Sequence, residues 1–452
     1  MTLRDCIEKL PNNSILTISK NKKLFREEIL NYYEKAKINN LEGSRVLICI
    51  SDINVALPII VALDGLAESF ALISASTSIE LILSYKKNGD FDAIICDNEI
   101  LFKKLKDTTA VFSDFNSLIK SIKPVKLLHK TRWLIATSGT TATPKLVSHT
   151  FKSLTRTTKF NIEHGKNVTW GMLYDFARFA GLQVLLQSAA SGSKLIAPLY
   201  EDSLVNKINS FINYKCTHLS ATPTLWRKIL MTPNSKEINL LHATLGGEIA
   251  DDRILSSINS QYPKAKIVHI FASTEAGVGF SVSDKKSGFP KNYLEKSPLG
   301  VGIKIKDNKL FIRNEHVHNK YLGNNKSFGS SDGWIDTGDS VHIKNDRVLF
   351  RGREDGVINV GGDKVYPEEI ENVLLKHPLV ASVKVYAKAN PITGSLVAAD
   401  VILVNSKTNS EEASKILREY NSKILERHKT LAIIKIVSRF DLNSSGKIAR
   451  DL

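Results

Sequence analysis

Apolar stretches of strand length alternate with longer amphipathic stretches through most of the chain. The clearest unit has an apolar run at residues 45–50, a helix-length stretch at about 54–68 and a second apolar run at 71–75. The same alternation returns between residues 203 and 271. Strands that alternate with helices of this length are typical of a partly parallel sheet. The pattern therefore predicts an α/β fold, with mixed sheets layered with helices and with ligand-binding loops at strand ends.

The pattern changes near Arg351, beyond which short strand pairs precede a helix that begins at Pro367. Proline suits the first turn of a helix, and the two glutamates that follow it face the positive helix end. After this helix we predict strands at residues 382–388, 396–403 and 432–437, with a helix at 411–427. The sequence therefore predicts two domains, a large N-terminal domain over residues 1–352 and a small α+β domain over residues 353–452.

The composition is that of a folded protein, with 42% hydrophobic and 24% charged residues in a chain of 452. The formal net charge is +16, from 62 lysines and arginines against 46 aspartates and glutamates. The basic residues are spread along the chain, so a generally basic surface is one interpretation and an acidic partner is the other. No basic cluster is interleaved with aromatic residues, and we therefore expect no nucleic-acid partner.

The cysteines and the apolar segments bear on where the protein resides. The four cysteines lie far apart without C-x-x-C spacing, as expected for reduced thiols of a cytoplasmic protein. The first residues lack the apolar core of a signal peptide. The most apolar segment, residues 55–75, is interrupted by a proline, a glycine and two acids, so we expect no membrane span.

The segment TSGTTATPKLV, residues 137–147, is the first candidate for chemistry. Its small residues let backbone N–H groups turn toward a phosphate, while hydroxyls and one ammonium add further donors. The spacing is not that of a Walker-type loop. A phosphate-binding loop is one interpretation and a solvated hairpin turn is the other. The candidate ligands are Thr137, Ser138, Gly139, Thr140, Thr141 and Lys145.

Five later stretches follow this loop in a recognisable order. They are residues 246–248 (GGE), 269–275 (HIFASTE), 334–339 (WIDTGD), 351–371 (RGRED through PEEIE) and 443–450 (NSSGKIAR). Together with the loop, this set resembles the motifs of the adenylate-forming superfamily, which comprises acyl-CoA synthetases, adenylation domains of peptide synthetases and luciferases. Six motifs in the family's order are not expected by chance.

The resemblance implies that the protein forms an acyl-adenylate from ATP and a carboxylic acid. The carboxylate attacks the α-phosphorus of ATP, so two anions meet and the site must neutralise charge on both. By resemblance, Glu275 would hold Mg²⁺, a cation that prefers carboxylate oxygen, and Thr274 would donate its hydroxyl to the α-phosphate. Lys447 would bridge the substrate carboxylate and the α-phosphate.

The resemblance also assigns residues around the nucleoside. Asp339 would accept both ribose hydroxyls, a task for an acceptor with two oxygens. Arg353 would support the ribose or phosphate side, and Phe271 would stack on adenine. The remaining residues implied for the nucleotide wall are Gly246, Gly247, Glu248, Ala272 and Ser273.

A second half-reaction is implied by the last motifs. Asp355 occupies the family's hinge position, about which the small domain would rotate after adenylation. The rotation would bring Gly361 and Gly362 to the site, where their lack of side chains would let a phosphopantetheine arm pass. Since no carrier domain is recognised in the sequence up to Leu452, we expect a stand-alone enzyme. We therefore expect the thiol to come from coenzyme A or from a separate acyl carrier protein.

The sequence departs from the family's pattern in the phosphate loop and in the acid pocket. Ala142 and Leu146 stand where glycine is usual, and Ala142 would be strained if it must adopt a positive φ. Ala272 replaces a common glycine and would narrow that wall of the acid pocket.

The segment from Tyr174 to Gly181 corresponds to the acid pocket of such synthetases. Aligned on Gly181, Arg178 stands where a histidine is frequent. Asp175 and Arg178 are three residues apart, so one interpretation is an ion pair between them. The other is that one of them recognises a polar group on the acid or lies at the pantetheine entrance. Asp175 also compares with the aspartate that amino-acid-activating domains use for the α-amino group.

Taken together, these features predict an ATP- and Mg²⁺-dependent carboxylic acid:thiol ligase of the acyl-CoA synthetase or acyl–carrier-protein ligase type. It would form an acyl-AMP, release pyrophosphate, and transfer the acyl group to a phosphopantetheine thiol. Two alternatives stay open. One is a stand-alone amino-acid adenylation enzyme that loads a carrier protein, and the other is a catalytically silent nucleotide-binding relative. We expect a monomer or a homodimer.

Overall fold

The structure, a computed structural model, describes residues 1–32, 41–97, 99–104, 110–112, 130–137, 145–315, 321–322, 328–391 and 393–440. Strands and helices alternate through the first part of the chain, as the sequence predicts. The described strands form three larger sheets, a two-stranded hairpin and a three-stranded sheet.

The first sheet is mostly parallel, with antiparallel pairs at its two edges. Its described strands are, in spatial order, β14 (Gly277–Val282), β13 (Lys266–Ser273), β12 (His242–Gly246), β11 (His218–Ala221), β9 (Thr169–Gly171), β10 (Lys194–Ile196), β1 (Ile15–Ser19) and β2 (Lys22–Phe25). Parallel strands place their carboxyl ends at one edge, where α/β sheets bind ligands.

The described strands of the second sheet are, in spatial order, β18 (Tyr321–Leu322), β8 (Leu146–Thr150), β7 (Arg132–Ala136), β4 (Ser69–Leu72), β3 (Arg45–Cys49), β5 (Ala93–Cys96) and β6 (Ala110–Phe112). The sheet is parallel from β7 to β6 and antiparallel at its other end. The candidate phosphate loop therefore connects the antiparallel neighbours β7 and β8.

The third sheet is antiparallel throughout its described pairs. Its strands are, in spatial order, β15 (Phe289–Pro290), β20 (Arg347–Arg353), β19 (Trp334–Lys344), β17 (Lys309–Arg313) and β16 (Gly302–Lys306). The C-terminal residues form the hairpin of β21 (Ile358–Val360) and β22 (Asp363–Val365), and the sheet of β23 (Val380–Asn390), β24 (Gly394–Leu403) and β25 (Ile433–Ile436).

The α-helices of the described residues are mostly short. They are α1 (Leu3–Glu8), α2 (Arg26–Leu30), α3 (Ile53–Leu63), α4 (Ile79–Asn88), α5 (Glu99–Lys104), α6 (Phe151–Leu154), α7 (Ile162–Gly165), α8 (Phe179–Ser191), α9 (Leu204–Asn213), α10 (Pro223–Met231), α11 (Asp252–Gln261), α12 (Pro367–Leu374) and α13 (Ser410–Ile424).

Helices α3 and α8 lie between the first two sheets. One hydrophobic core cluster contains side chains from both helices, from β1 and β10 of the first sheet, and from β3, β4 and β7 of the second. This explains why α3 is apolar almost throughout, since nine of its residues are buried. A helix that is hydrophobic all round is a buried helix.

Helix boundaries follow local signals in the sequence. Helix α10 begins at Pro223 because proline suits the first turn and because the Thr222 hydroxyl accepts a hydrogen bond from the Leu225 N–H. Helix α3 ends at Leu63, earlier than the predicted residue 68, since Gly65 has φ +97°. Helix α13 ends at Ile424 because Leu425 is extended.

The C-terminal residues have a hydrophobic core of their own, which extends from Ile358 to Ile434. A contact with the body runs through Arg253 of α11, whose guanidinium donates to the carbonyl oxygens of Leu375, His377 (3.0 Å) and Val380 (3.1 Å). The predicted division between residues 352 and 353 falls at the end of β20 and stays a prediction. No helix in the described ranges is long and apolar enough to cross a membrane.

Candidate active site

A cavity of about 1230 Å³ opens at the carboxyl ends of β11, β12 and β13 and extends along the face of the first sheet. Side chains from all three larger sheets reach it, which places residues far apart in sequence around one space. The predicted site residues that line it are Thr137, Lys145, Tyr174, Arg178, Gly246, Gly247, Glu248, Phe271, Ala272, Ser273, Thr274, Glu275, Asp339, Arg353 and Asp355.

The candidate phosphate loop has both ends at the cavity. The N–H of Thr137 donates to the carbonyl oxygen of Lys145 at 3.1 Å, which closes the hairpin between β7 and β8. Ser138, Gly139, Thr140, Thr141 and Ala142 lie outside the described residues. Leu146 is 2% exposed, pairs with Ala136 in the sheet and packs in a hydrophobic core cluster, so its side chain fills core space that a glycine would leave empty.

The turn after β13 carries Thr274 and Glu275, and two residues from the second sheet hold it. The Nε2 of His149 lies 2.9 Å from the Thr274 carbonyl oxygen. The hydroxyl of Tyr321 donates to Glu275 Oε1 at 3.0 Å. Burial, with the Glu275 charge nearby, raises the pKa of Tyr321 well above its usual range, so the hydroxyl keeps its proton.

An acid–arginine pair faces the cavity from the third sheet. Asp339 of β19 and Arg353 of β20 are directly paired in the sheet, and their Oδ1 and Nη1 atoms are 3.7 Å apart. The Arg353 Nε also lies 3.0 Å from Asp355 Oδ1, and its Nη1 donates to the Thr337 carbonyl oxygen at 3.2 Å. The arginine is therefore oriented by two carboxylates and one carbonyl, beside a carboxylate that could accept ribose hydroxyls.

The wall formed by residues 246–248 and by β13 is made of backbone and aromatic surface. Gly247 has φ +81°, which favours glycine. The Glu248 carboxylate accepts the Thr224 N–H at 2.9 Å, at the start of α10. The Phe271 ring lies nearly parallel to those of Phe280 and Phe350, with centroids 5.2 and 5.6 Å away.

The expected ion pair between Asp175 and Arg178 is not formed among the described residues, and this interpretation was wrong. Asp175 is 7% exposed, and its carboxylate accepts the Ala177 N–H at 2.9 Å instead. A carboxylate engaged with the backbone two residues on is a turn-forming group. Asp175 lines a small second cleft and Arg178 lines the main cavity, while Tyr174 lies between the two and lines both.

Gly181 and Tyr174 shape this part of the site in different ways. A Cβ on Gly181 would lie 2.2 Å from the Asp175 carbonyl oxygen, so only glycine fits where the chain meets α8. Tyr174 is 4% exposed and hydrogen-bonds with Ser220, and burial raises the pKa of its hydroxyl well above the usual range.

The comparisons with known proteins identify the family. The family model described as AMP-binding enzyme matches residues 66–326, more than half of the chain, and the model described as AMP-binding enzyme C-terminal domain matches residues 369–447. The chain belongs to the AMP-binding enzyme family. This confirms the resemblance to adenylate-forming enzymes that the motifs predicted.

Relatives of this AMP-binding enzyme are named as CoA ligases. The 2-succinylbenzoate–CoA ligase of Bacillus subtilis (strain 168) is 24% identical over 340 residues, which cover 71% of this chain and 68% of the relative. The putative long chain fatty acid–CoA ligase VraA of Staphylococcus epidermidis is 25% identical over 390 residues, 82% of this chain and 79% of the relative.

Solved structures show the same fold. The o-succinylbenzoate CoA synthetase of Bacillus subtilis in complex with its acyl-adenylate intermediate aligns with a TM-score of 0.76 at 20% identity, over 99% of this chain and 96% of that chain. The anthranilate CoA ligase AuaEII with anthranoyl-AMP aligns with a TM-score of 0.80 at 17% identity, over 99% and 95% of the two chains. The predicted fold, with a large N-terminal and a smaller C-terminal domain, is confirmed.

Some predicted site residues of this AMP-binding enzyme are not brought to the cavity. Gly361 and Gly362 are described and exposed at the turn between β21 and β22, away from the cavity lining. Their φ values of +61° and +97° explain why glycine stands there in the present arrangement. Lys447 lies outside the described residues.

Two residues of the nucleotide site were missed from the sequence. His149 lies close to the phosphate loop in the chain, but its contact with Thr274 spans two sheets. Tyr321 carries no local motif and reaches Glu275 only because β18 pairs with β8. His149 could have been noticed because it closely follows the candidate phosphate loop in the sequence, whereas no signal in the sequence indicates Tyr321.

Proposed function

We propose that this AMP-binding enzyme is an ATP-dependent carboxylic acid:CoA ligase that works through an acyl-AMP. The observation that carries the proposal is the convergence of three charged elements on one cavity: the loop end at Lys145, the turn at Thr274–Glu275, and the pair Asp339–Arg353. The relatives' names as CoA ligases support coenzyme A as the acceptor.

In the first half-reaction, a carboxylate oxygen of the acid bonds to the α-phosphorus of ATP. The bond from the α-phosphorus to the bridging oxygen breaks, and pyrophosphate leaves with that electron pair. The Lys145 ammonium and the Thr274 hydroxyl line the cavity and would stabilise charge on the phosphates. Asp339 would fix the ribose, which holds the reacting phosphorus in place.

Mg²⁺, when bound, would neutralise phosphate charge, and Glu275 is the residue that would hold it. Glu275 fits this role because it faces the cavity and because the Tyr321 hydroxyl fixes one of its oxygens. Among the described residues, no group of three or more acidic, histidine or cysteine side chains could hold a metal. A site with one carboxylate suits Mg²⁺, which keeps several waters and takes further ligands from substrate phosphates.

In the second half-reaction, the thiol of coenzyme A attacks the acyl carbon, the thiol proton is lost, and AMP leaves. The exposed turn at Gly361–Gly362 would reach the cavity by rotation of the C-terminal residues about Asp355. Such a rotation would break the hydrogen bonds from Arg253 to the carbonyl oxygens of residues 375, 377 and 380.

The position of Asp175 argues against an amino-acid substrate. The aspartate that would bind an α-amino group does not line the main cavity, and its carboxylate accepts the Ala177 N–H. We therefore favour an acid without an α-amino group.

The test is ATP–pyrophosphate exchange with the full chain over a panel of fatty, aryl, dicarboxylic and amino acids. We expect exchange with at least one acid, abolished in Lys447→Ala and retained in Lys435→Ala, an exposed lysine of β25. Product formation with coenzyme A and with phosphopantetheinylated carrier proteins, measured by mass, would then identify the acceptor. ATP binding without exchange for any acid would instead support the silent relative, and exchange with amino acids alone would support the amino-acid adenylation enzyme.

A further inference from the structure

The cavity does not end at the nucleotide site but continues along the first sheet to the amino ends of its strands. The lining residues of β12 are His242, Thr244 and Gly246. Those of β11 are His218 and Ser220, and Thr222 directly after this strand also lines the cavity. Alternate residues of a strand face the same side, so the cavity follows one face of the sheet. Four residues separate His242 from Gly246, which corresponds to about 13 Å along the strand.

The opposite wall of this extension is helix α8. Phe179, Gln183, Gln187 and Ser191 line the cavity at intervals of four residues, as expected for one face of a helix. The extension is therefore a slot between a helix face and a sheet face. A substrate whose carboxyl group lies at the nucleotide side could extend through it.

Basic and hydrogen-bonding side chains surround the far end of the slot. We define this basic end by the lining residues Lys159, His164, Trp170, His218, His242 and Lys266. The rings of His218 and His242 stack with centroids 5.2 Å apart and an interplanar angle of 2°, and the Trp170 ring lies 5.0 and 6.2 Å from them. The described residues that line the slot here include no aspartate or glutamate.

The two histidines line the basic end with their rings, and the two lysines supply charge and N–H donors. Burial and neighbouring positive groups lower the pKa of both His218 and His242 to about 4, so these rings are neutral at pH 7. The Nδ1 of His218 lies 2.9 Å from the Thr217 hydroxyl, which leaves its Nε2 for another partner. Among the described residues no hydrogen bond to the His242 ring is formed. Lys159 and Lys266 are exposed and complete a positive rim.

We propose that the basic end binds a second carboxylate of the acid substrate, so that the enzyme activates acids with carboxyl groups at both ends of a chain that spans about 13 Å. This inference rests on the proposed ligase function. A methyl terminus would leave the donors of the basic end without partners, whereas a carboxylate would accept from them and face the lysine charges.

The test compares acids of matched length in the exchange assay with the full-length protein. We expect α,ω-dicarboxylic acids to have a kcat/KM at least tenfold above that of monocarboxylic acids with the same chain length. Lys266→Gln and His242→Leu would each reduce this ratio, chiefly through a higher KM for the dicarboxylic acid. Lys264→Gln, an exposed lysine outside the cavity, is the matched control and would keep the ratio.

A binding measurement separates failure of this inference from failure of the ligase function. Trp170 lies in the basic end, so a dicarboxylic acid should change tryptophan fluorescence in a saturable way, and the change should be lost in Trp170→Phe and weakened in Lys266→Gln. Exchange with equal preference for monocarboxylic acids would overturn the inference while the ligase function stands. If no acid supports exchange, the proposed ligase function is wrong. The binding measurement then tests the basic end by itself, and the proposed carboxylate site is wrong if the dicarboxylic acid causes no saturable change in tryptophan fluorescence.

Discussion

The nucleotide side of the cavity and the basic end are built in different ways. On the nucleotide side, the charged groups already have partners: Asp339 faces the Arg353 guanidinium, and Glu275 accepts a hydrogen bond from the neutral Tyr321 hydroxyl. At the basic end, positive and donor groups converge without an acidic partner among the described lining residues. A matched site can hold its geometry before the substrate arrives, whereas an unmatched one gains its partner only from the substrate. The nucleotide side is therefore suited to the reaction steps that are common to all acids, and the basic end is suited to selecting which acid binds.

The largest expected effect comes from removing a charge on the nucleotide side. Glu275→Gln should lower the rate of pyrophosphate exchange by about a hundredfold, the range for loss of one charge-stabilising group. The loss should be equal for monocarboxylic and dicarboxylic acids, because Glu275 would act on the phosphates of ATP, which are the same for every acid. Glu295→Gln, an exposed acid outside the cavity, is the control. A loss confined to one acid class would contradict the division between the two regions.

Tyr321→Phe tests whether the hydroxyl positions Glu275. We expect about a tenfold loss of exchange, the lower range for removing a group that orients a metal-binding side chain. The Mg²⁺ concentration for half-maximal exchange should rise, which a general loss of structure would not produce. Tyr420→Phe on helix α13 serves as the control. An unchanged Mg²⁺ dependence would remove Tyr321 from this role.

Arg253→Ala should weaken the contact between helix α11 and residues 375–380 of the C-terminal part and leave the basic end unchanged. Hydrogen–deuterium exchange at residues 375–380 should rise roughly fivefold, as expected when about 1 kcal/mol is lost. The preference between dicarboxylic and monocarboxylic acids should be the same as in the parent protein. Arg418→Ala, an exposed arginine of α13, provides the comparison. Equal protection in both variants would show that Arg253 does not hold this contact.

The smallest expected effect concerns the pH dependence of stability at the basic end. In the unfolded chain His242 takes up a proton below about pH 6.5, but in the folded chain only near pH 4. The unfolded state thus binds more protons between these values, so stability falls as the pH falls through this window. His242→Gln should reduce the drop in Tm between pH 7 and pH 4.5 by about 2 °C.

A second buried group titrates in the same window with the opposite sign. Burial raises the pKa of Asp64 to about 6, so the folded state binds more protons than the unfolded state between about pH 4 and 6. This contribution is present at low pH and is lost as the pH rises. Since Asp64 is the same in both proteins, the difference between the parent and His242→Gln reports the loss of His242 together with its effect on the pKa of the stacked His218 ring. His428→Gln is the control, and an identical drop in the parent and His242→Gln would reject the assignment.

The sequence predicted the nucleotide side better than the basic end, for a physical reason. Hydroxyls, glycines and acids at fixed spacing in one loop can be recognised locally, and the elements around them, such as α10 from Pro223, follow from helix-start signals. Trp170, His218 and His242 become neighbours only through the parallel register of β9, β11 and β12, which no local pattern specifies. Spacing also misled at Asp175, where a backbone N–H two residues away competes for the carboxylate.

His149 has a further consequence for how the site is assembled. It is 1% exposed in the second sheet and donates to the Thr274 carbonyl in the turn after the first, so its proton must sit on Nε2. The loop and the acidic turn come from separate sheets, and this bond fixes their spacing when the chain folds. Part of the entropic cost of ordering these two elements is therefore met when the chain folds, and it does not recur each time a substrate binds. Binding energy from the nucleotide can then be used for the reaction itself.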